Sequence, residues 1–135
     1  LPFTPWTTLE DYLDLLQWIP AHDLITHVPA VQLSIRLLVP PRSALLDEYP
    51  PGYWGELDPA NFAYRWRHPD PRMDELQARV TVLAETANQS ALAAFAAIEQ
   101  TAYRMADRSL PARSFNGRRP RRRPPPPRLT EDWFC

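Results

Sequence analysis

Leu1-Pro2-Phe3-Thr4-Pro5-Trp6-Thr7-Thr8-Leu9-Glu10-Asp11-Tyr12-Leu13-Asp14-Leu15-Leu16-Gln17-Trp18-Ile19-Pro20 opens the chain, and Val31-Gln32-Leu33-Ser34-Ile35-Arg36-Leu37-Leu38-Val39-Pro40-Pro41 follows after a short connector. In the first stretch Leu9, Tyr12, Leu13, Leu16 and Ile19 recur at helical spacing, and Leu15 and Trp18 widen the stripe. The second alternates with period two, with Val31, Leu33, Ile35, Leu37 and Val39 on one face and Gln32, Ser34, Arg36 and Leu38 on the other. The order is therefore turn, amphipathic helix, strand. Thr7-Thr8-Leu9-Glu10 reads as a capping box with Thr7 as N-cap and Glu10 reaching back. Pro20 is expected to end the helix, and Pro29 and Pro40 to bracket the strand, where ladder hydrogen bonds start and stop.

Beyond Pro41 the reading is loop, then helices. Tyr49-Pro50-Pro51-Gly52-Tyr53-Trp54-Gly55 carries turn signals, and Phe62, Tyr64 and Trp66 suggest a short extended piece with an aromatic face. Asp70-Pro71 is a strong helix start, with Asp as N-cap and Pro in the first turn. Met73, Leu76, Val80, Leu83 and Ala87 follow at helical spacing, a break falls near Asn88-Gln89-Ser90, and a second stripe runs through Ala91, Phe95, Ile98, Ala102 and Met105. After Leu110 the pattern dissolves into Arg118-Arg119-Pro120-Arg121-Arg122-Arg123 and four prolines, a composition that favours polyproline II and cannot build a core.

Composition narrows the classes. The chain has 135 residues, 44% hydrophobic, with 17 Pro and 3 Gly. No apolar run approaches the ~20 residues that span a bilayer, so a cytoplasmic location is expected and no membrane partner. The net charge of −1 divides unevenly: residues 1–107 carry 7 Arg against 14 acids, and residues 108–135 carry 8 Arg against 2 acids. The body is acidic and the tail basic. All 15 basic residues are Arg, which points to GC-rich coding more than to a choice of guanidinium at each site. The lone Cys135 makes neither an intrachain disulfide nor a metal site by itself.

Helix followed by strand suits an α/β unit. Pro2 to Tyr12 resembles the loop and helix after the fifth barrel strand of radical SAM proteins, and Gln32 to Leu46 resembles the sixth strand and its exit, with Pro40-Pro41-Arg42-Ser43 where many members have Pro-x-Pro-Gly-Thr. Tyr64 to Leu76, with Trp66 and His68-Pro69-Asp70-Pro71-Arg72-Met73-Asp74, and Arg128 to Cys135 are similar to the group whose chains end in Cys-Cys-Ala-Glu-Pro or Cys-selenocysteine-Ala-Glu-Pro. In that group the tail resembles Arg-Leu-Thr-Glu-Pro-Trp-Phe-Cys; here Asp132 replaces the Pro. The resemblance spans most of the chain apart from the Arg/Pro linker. It implies the end of a partial (β/α)6 radical SAM barrel over 1–46 (helix five and strand six), a helical C-terminal extension over 47–110, and a disordered Arg/Pro-rich, Cys-ended tail over 111–135.

The same resemblance implies that the complete enzyme binds S-adenosylmethionine and a [4Fe–4S] cluster, takes electrons from a reductant and acts on a substrate that the sequence does not name. The Cys-x-x-x-Cys-x-x-Cys motif that ligates the cluster is absent, so the expectation is an inactive C-terminal fragment whose chemistry is encoded upstream. The first residues read as the end of an element, in keeping with this. At the other end, Cys135 stands where relatives continue with Cys or selenocysteine, which implies an in-frame UGA read as a stop.

Candidate residues follow. Gln32, Ser34 and Arg36 share the polar strand face, and a guanidinium there needs an anion, for which the carboxylate of S-adenosylmethionine is one candidate; solvated residues at an open barrel edge are the plain alternative. Thr4, Trp6 and Thr7 can line the same mouth or serve only as cap and staple. Cys135, as half of a vicinal pair, is the candidate catalytic thiol. No metal site is expected from His22, His27 and His68, whose spacing lacks a third ligand. The rival reading is a non-enzymatic helical interaction module with a basic tail that binds nucleic acid, although no nucleic-acid-binding fold signature accompanies the Arg tract.

Overall fold

The computed structural model describes residues 1–50, 52–86 and 90–112. The elements in chain order are α1 (Leu9–Ala21), a 3-10 turn (Ala30–Leu33), α2 (Leu45–Glu48), β1 (Leu57–Asp58), β2 (Ala63–Tyr64), α3 (Pro71–Glu85) and α4 (Ala91–Met105). Helices α1, α3 and α4 and the 3-10 turn surround one apolar core. Its centre is Tyr12, Leu13, Leu16, Ile19, Leu33, Met73, Leu76, Val80, Ile98 and Ala102. The predicted apolar stripes of all three helices thus meet. This core is shared between the 1–46 and 47–110 segments.

α1 starts one residue later than predicted. Thr8, not Thr7, is the N-cap, and its partner in the capping box is Asp11, not Glu10. The Thr8 hydroxyl accepts from the Asp11 N–H at 3.1 Å, and the Thr8 N–H donates to the Asp11 carboxylate at 2.8 Å. Thr7 is committed elsewhere. Its hydroxyl and that of Thr4 share a 2.7 Å hydrogen bond, and Thr4 Oγ1 accepts from the N–H groups of Trp6 and Thr7. Pro20 does not end the helix, which runs on to Ala21. The stop is a Schellman motif, in which Leu24 N–H donates to Ile19 C=O and Asp23 N–H to Pro20 C=O. Asp23 holds the left-handed position (φ 58°) that Gly usually takes. α4 finishes the same way, with Asp107 at φ 53° and bonds from Arg108 to Tyr103 and from Asp107 to Arg104. Trp18 does not widen the buried stripe; it is exposed and stacks on His22 with 4.2 Å between ring centroids.

The predicted strand over Val31 to Val39 is corrected in its first half. Ala30–Leu33 coils as a 3-10 turn, and only the residues from Ile35 onward are extended. In a turn of three residues, Ala30 and Leu33 lie on one side while Val31 and Gln32 face away. Burial agrees: Leu33 is inside, Ala30 packs on the core, and Val31 and Gln32 are exposed. The Ser34 N–H and hydroxyl both donate to Val31 C=O, which closes the turn. The turn therefore uses a spacing of three, Ala30 with Leu33, and leaves Val31 of the alternating pattern in solvent.

The extended half makes one parallel pairing. Phe3 N–H donates to Ile35 C=O and Leu37 N–H to Phe3 C=O, giving a bridge between Phe3 and Arg36 with α1 as the crossover. Val39 C=O accepts from Tyr64 N–H, which ties the same segment to the β1–β2 hairpin. That antiparallel pair places Leu57 opposite Tyr64 and Asp58 opposite Ala63. Phe62, predicted to share an aromatic face with Tyr64 and Trp66, lies outside it, exposed at φ 49°. The start of α3 is as predicted, with Asp70 accepting from Arg72 N–H and Pro71 in the first turn. α4 begins after Ser90, whose hydroxyl caps Ala93 N–H, inside the predicted break.

Candidate functional site

Two features stand out where the loops meet the helices: a charged node around Arg36 and a patch of aromatic rings beside it. The extended backbone at 35–39 carries Arg36 to the Trp66 side chain, with the guanidinium carbon 3.6 Å from the ring centroid. The same guanidinium donates to Asp74 Oδ1 at 2.7 Å and to the Trp66 carbonyl at 2.6 Å. Asp74 sits in the first turn of α3, where a carboxylate also faces the positive helix end. Its second oxygen accepts from the His68 N–H at 3.0 Å. Arg36 is thus held by one carboxylate, one carbonyl and one indole face, which uses its planar fork in a way Lys cannot.

His68 extends the node to the N-terminal turn. Its Nε2 lies 3.0 Å from Thr7 C=O, and its Nδ1 lies 2.9 Å from Asp70 N–H. Nδ1 also lies 3.0 Å from Asp70 C=O, so the ring links the N-terminal turn to the start of α3. Asp70 caps α3 and also pairs with Arg72, whose guanidinium holds the Asp70 carboxyl below the usual carboxylate range. A hollow of about 350 Å³ lies between Thr8, Glu10, His68, Asp70, Arg72 and Arg108. Both of its guanidiniums are paired, Arg72 with Asp70 and Arg108 with Glu10. This is a structural clamp: it positions three chain segments and presents neither a nucleophile nor an unpaired cation.

The aromatic patch meets the N-terminal turn through Trp6. Trp54 and Trp66 are buried with Val39, and each indole N–H donates to a backbone carbonyl, Trp54 to Leu45 and Trp66 to Leu37. Outside them, Tyr49 stacks on Tyr53 at 4.6 Å and Trp6 lies 5.4 Å from Tyr49. Trp54 supports this row edge-on, 6.4 Å from Trp6 and 4.9 Å from Tyr53. Trp6 is 43% exposed and the two tyrosines are half-buried.

Of the residues predicted to bind a cofactor, Gln32 lies exposed on the 3-10 turn, Ser34 is buried and bonded to Val31 C=O, and Arg36 alone sits on the extended segment. The three do not form one strand face, because the turn rotates Gln32 and Ser34 away from the register of Arg36. Cys135 and the Arg/Pro tract lie outside the described residues. Thr4, Trp6 and Thr7 do gather beside the node, Thr7 through its carbonyl. His22 and His27 lie in or next to the connector, apart from His68. Among the described residues no group of three His, Cys, Asp or Glu is placed to hold a metal ion. A [4Fe–4S] cluster with an open iron needs three thiolates, so the residues present do not fit that group.

Sequence reasoning missed the pairing of Arg36 with Asp74 and the clamp made by His68. The available signal was the run Trp66-x-His68-Pro-Asp70-Pro, where a donor ring precedes a cap. Tyr49 and Tyr53 gave only turn signals. Among the described residues, no helix is long and apolar enough to cross a membrane. Comparison with known proteins brings no match to a family model, a curated protein or a solved structure.

Proposed function

We propose that these residues are the C-terminal part of a cytoplasmic radical SAM enzyme, one that cleaves S-adenosylmethionine at a [4Fe–4S] cluster and carries out radical chemistry on its substrate. The observation that carries this reading is the parallel pairing of Phe3 with Arg36 across α1. A parallel pair joined through a helix is the repeating unit of a (β/α) barrel; here Arg36 lies in the segment that resembles the sixth strand, and Phe3 in the loop that resembles the one after the fifth. The cluster ligands and the reductant's docking site belong, on this reading, to sequence upstream of Leu1. Of the predicted contacts to S-adenosylmethionine, Arg36 on the extended segment is the one proposed; Gln32 lies on the 3-10 turn and the Ser34 hydroxyl closes it. Arg36 reaches a ligand carboxylate only by exchanging Asp74 for it, and Cys135 is the proposed redox thiol.

The test is the upstream reading frame together with the longer chain it encodes. Three closely spaced cysteine codons are expected, and the longer chain, reconstituted with iron and sulfide, is expected to show visible iron–sulfur absorption and to release 5′-deoxyadenosine from S-adenosylmethionine under reduction. A frame with no cysteine triplet overturns the reading. The exposed aromatic row favours a second one, a non-enzymatic interaction module. Salt-dependent binding of RNA or DNA by the chain would be the mark of its nucleic-acid form.

A further inference from the structure

We propose that the row formed by Trp6, Tyr49 and Tyr53 is the docking site for the chain's own arginine/proline segment, Arg118 to Arg128. The proposal does not depend on the enzymatic reading above. Its first support is the shape and chemistry of the surface. Adjacent aromatic rings, partly exposed and braced from behind by Trp54, are the surface on which proline-rich segments dock. Such a segment loses little conformational entropy on binding, because proline has already fixed its backbone.

Charge gives the second support. Residues 118–128 comprise six Arg and five Pro, with no acid. The aromatic row is flanked by Asp47 and Glu48, just before Tyr49, and by Glu56, two residues after Trp54. All three are exposed and form no ion pair among the described residues. Prolines on the rings and arginines on the flanking carboxylates match a basic proline-rich ligand to this patch. Repulsion within six clustered guanidiniums falls when carboxylates stand opposite them.

Reach is the third. Arg108 pairs with Glu10, which is four residues from Trp6 and therefore at most about 14 Å from it along the chain. Ten residues separate Arg108 from Arg118 and span up to about 35 Å when extended. The ten residues after Arg108 are accordingly long enough to bring the arginine/proline segment to the row.

Cys135 is the lone thiol, so a nitroxide can be attached there without changing any other residue. In the full-length, nitrogen-15-labelled chain, the nitroxide is expected to cause loss of the Trp6 indole signal and of the Tyr49 and Tyr53 amide signals, relative to the reduced label. The amides of Val82 and Leu83 on α3 should keep their intensity. Raising the salt concentration, or replacing Arg121, Arg122 and Arg123 with Ala, should restore the lost signals. Trp6→Ala should restore Tyr49 and Tyr53. Equal loss over all surfaces, or no loss at the row, overturns the proposal. So does loss carried between molecules, when a labelled chain without nitroxide is mixed with an unlabelled chain that bears it, because the occupant is then a second copy.

Discussion

In the helical cluster, side chains such as Leu16, Leu76 and Ile98 are fully buried and pack in one apolar cluster. In the cluster around Val39, Trp54 and Trp66, the buried residues come from loops, and each indole is fixed by a hydrogen bond to a carbonyl. The first region gains stability from area and tolerates small shifts, because dispersion and the hydrophobic effect have little direction. The second depends on direction. Its rings must hold both a plane and a donor position, since the loops that carry them have no helical ladder of their own. A protein poor in regular strand can therefore still fix its loops, provided that large rings with a polar handle replace the sheet.

The sharpest way to break this contrast is to hollow out the helical side. Leu76→Ala should cost about 2–5 kcal/mol, the range for large-to-small changes at fully buried sites. Urea unfolding of the full chain should show the fall in midpoint. A loss no greater than that of a surface change would mean that the helices are not the main source of stability.

On the aromatic side, Trp66→Phe keeps a ring but removes the N–H to Leu37 C=O and weakens the stacking with Arg36, with an expected loss of about 1–3 kcal/mol. Hydrogen exchange should speed first at Gly55, Leu37 and Tyr64, while α3 stays protected. Equal acceleration in α3 would show that the two clusters are one cooperative unit.

Tyr12 belongs to the helical side but has a directional bond: its buried hydroxyl donates to Leu33 C=O at 2.9 Å. Tyr12→Phe should cost about 1 kcal/mol by orphaning that carbonyl. Burial pushes the Tyr12 phenol well above its ordinary value of 10.0. The folded state thus favours the neutral ring, so its contribution is whole below pH about 10 and declines as the pH rises above it, where the unfolded chain ionises first. Tyr12→Phe should flatten that part of the alkaline stability profile. An unchanged slope would show that other groups cause it.

The smallest effect concerns the ends of the helices on the first side. Asp23→Gly and Asp107→Gly relieve a left-handed backbone, and each should stabilise by less than about 1 kcal/mol, read as a rise in melting temperature. A fall would mean that the aspartate side chains contribute more there than the backbone strain costs.

These same ends show how much was legible in the sequence. The three long helices could be read because their apolar residues repeat and because Asp70-Pro71 is a local signal. Their stops could not: with only 3 Gly in the chain, the Schellman positions fall to Asp, which in sequence looks like any loop residue. The choice between Thr7 and Thr8 turned on a side-chain bond to Thr4 that two adjacent threonines leave open. The segment at 31–39 misled because its alternating apolar residues match a strand, whereas the turn buries Ala30 and Leu33, three apart, and leaves Val31 exposed. Of the candidate site, Trp66, His68 and Asp74 were visible as a string but not as partners of Arg36. That pairing crosses 38 residues and leaves no local pattern.

The clamp at His68 also bears on the order in which the chain can assemble. His68 meets Thr7 across 61 residues, Gln17 meets Tyr103 across 86, and Glu10 meets Arg108 across 98. α3 and α4, by contrast, are near neighbours in sequence and can pair early, since closing a short loop costs less entropy than closing a long one. During synthesis α1 emerges before the other described helices, yet its contacts with α4 wait for nearly all of the described chain. Of the described helices, the first made is then the last docked, and until then its apolar stripe stands open to whatever the ribosome's surroundings provide.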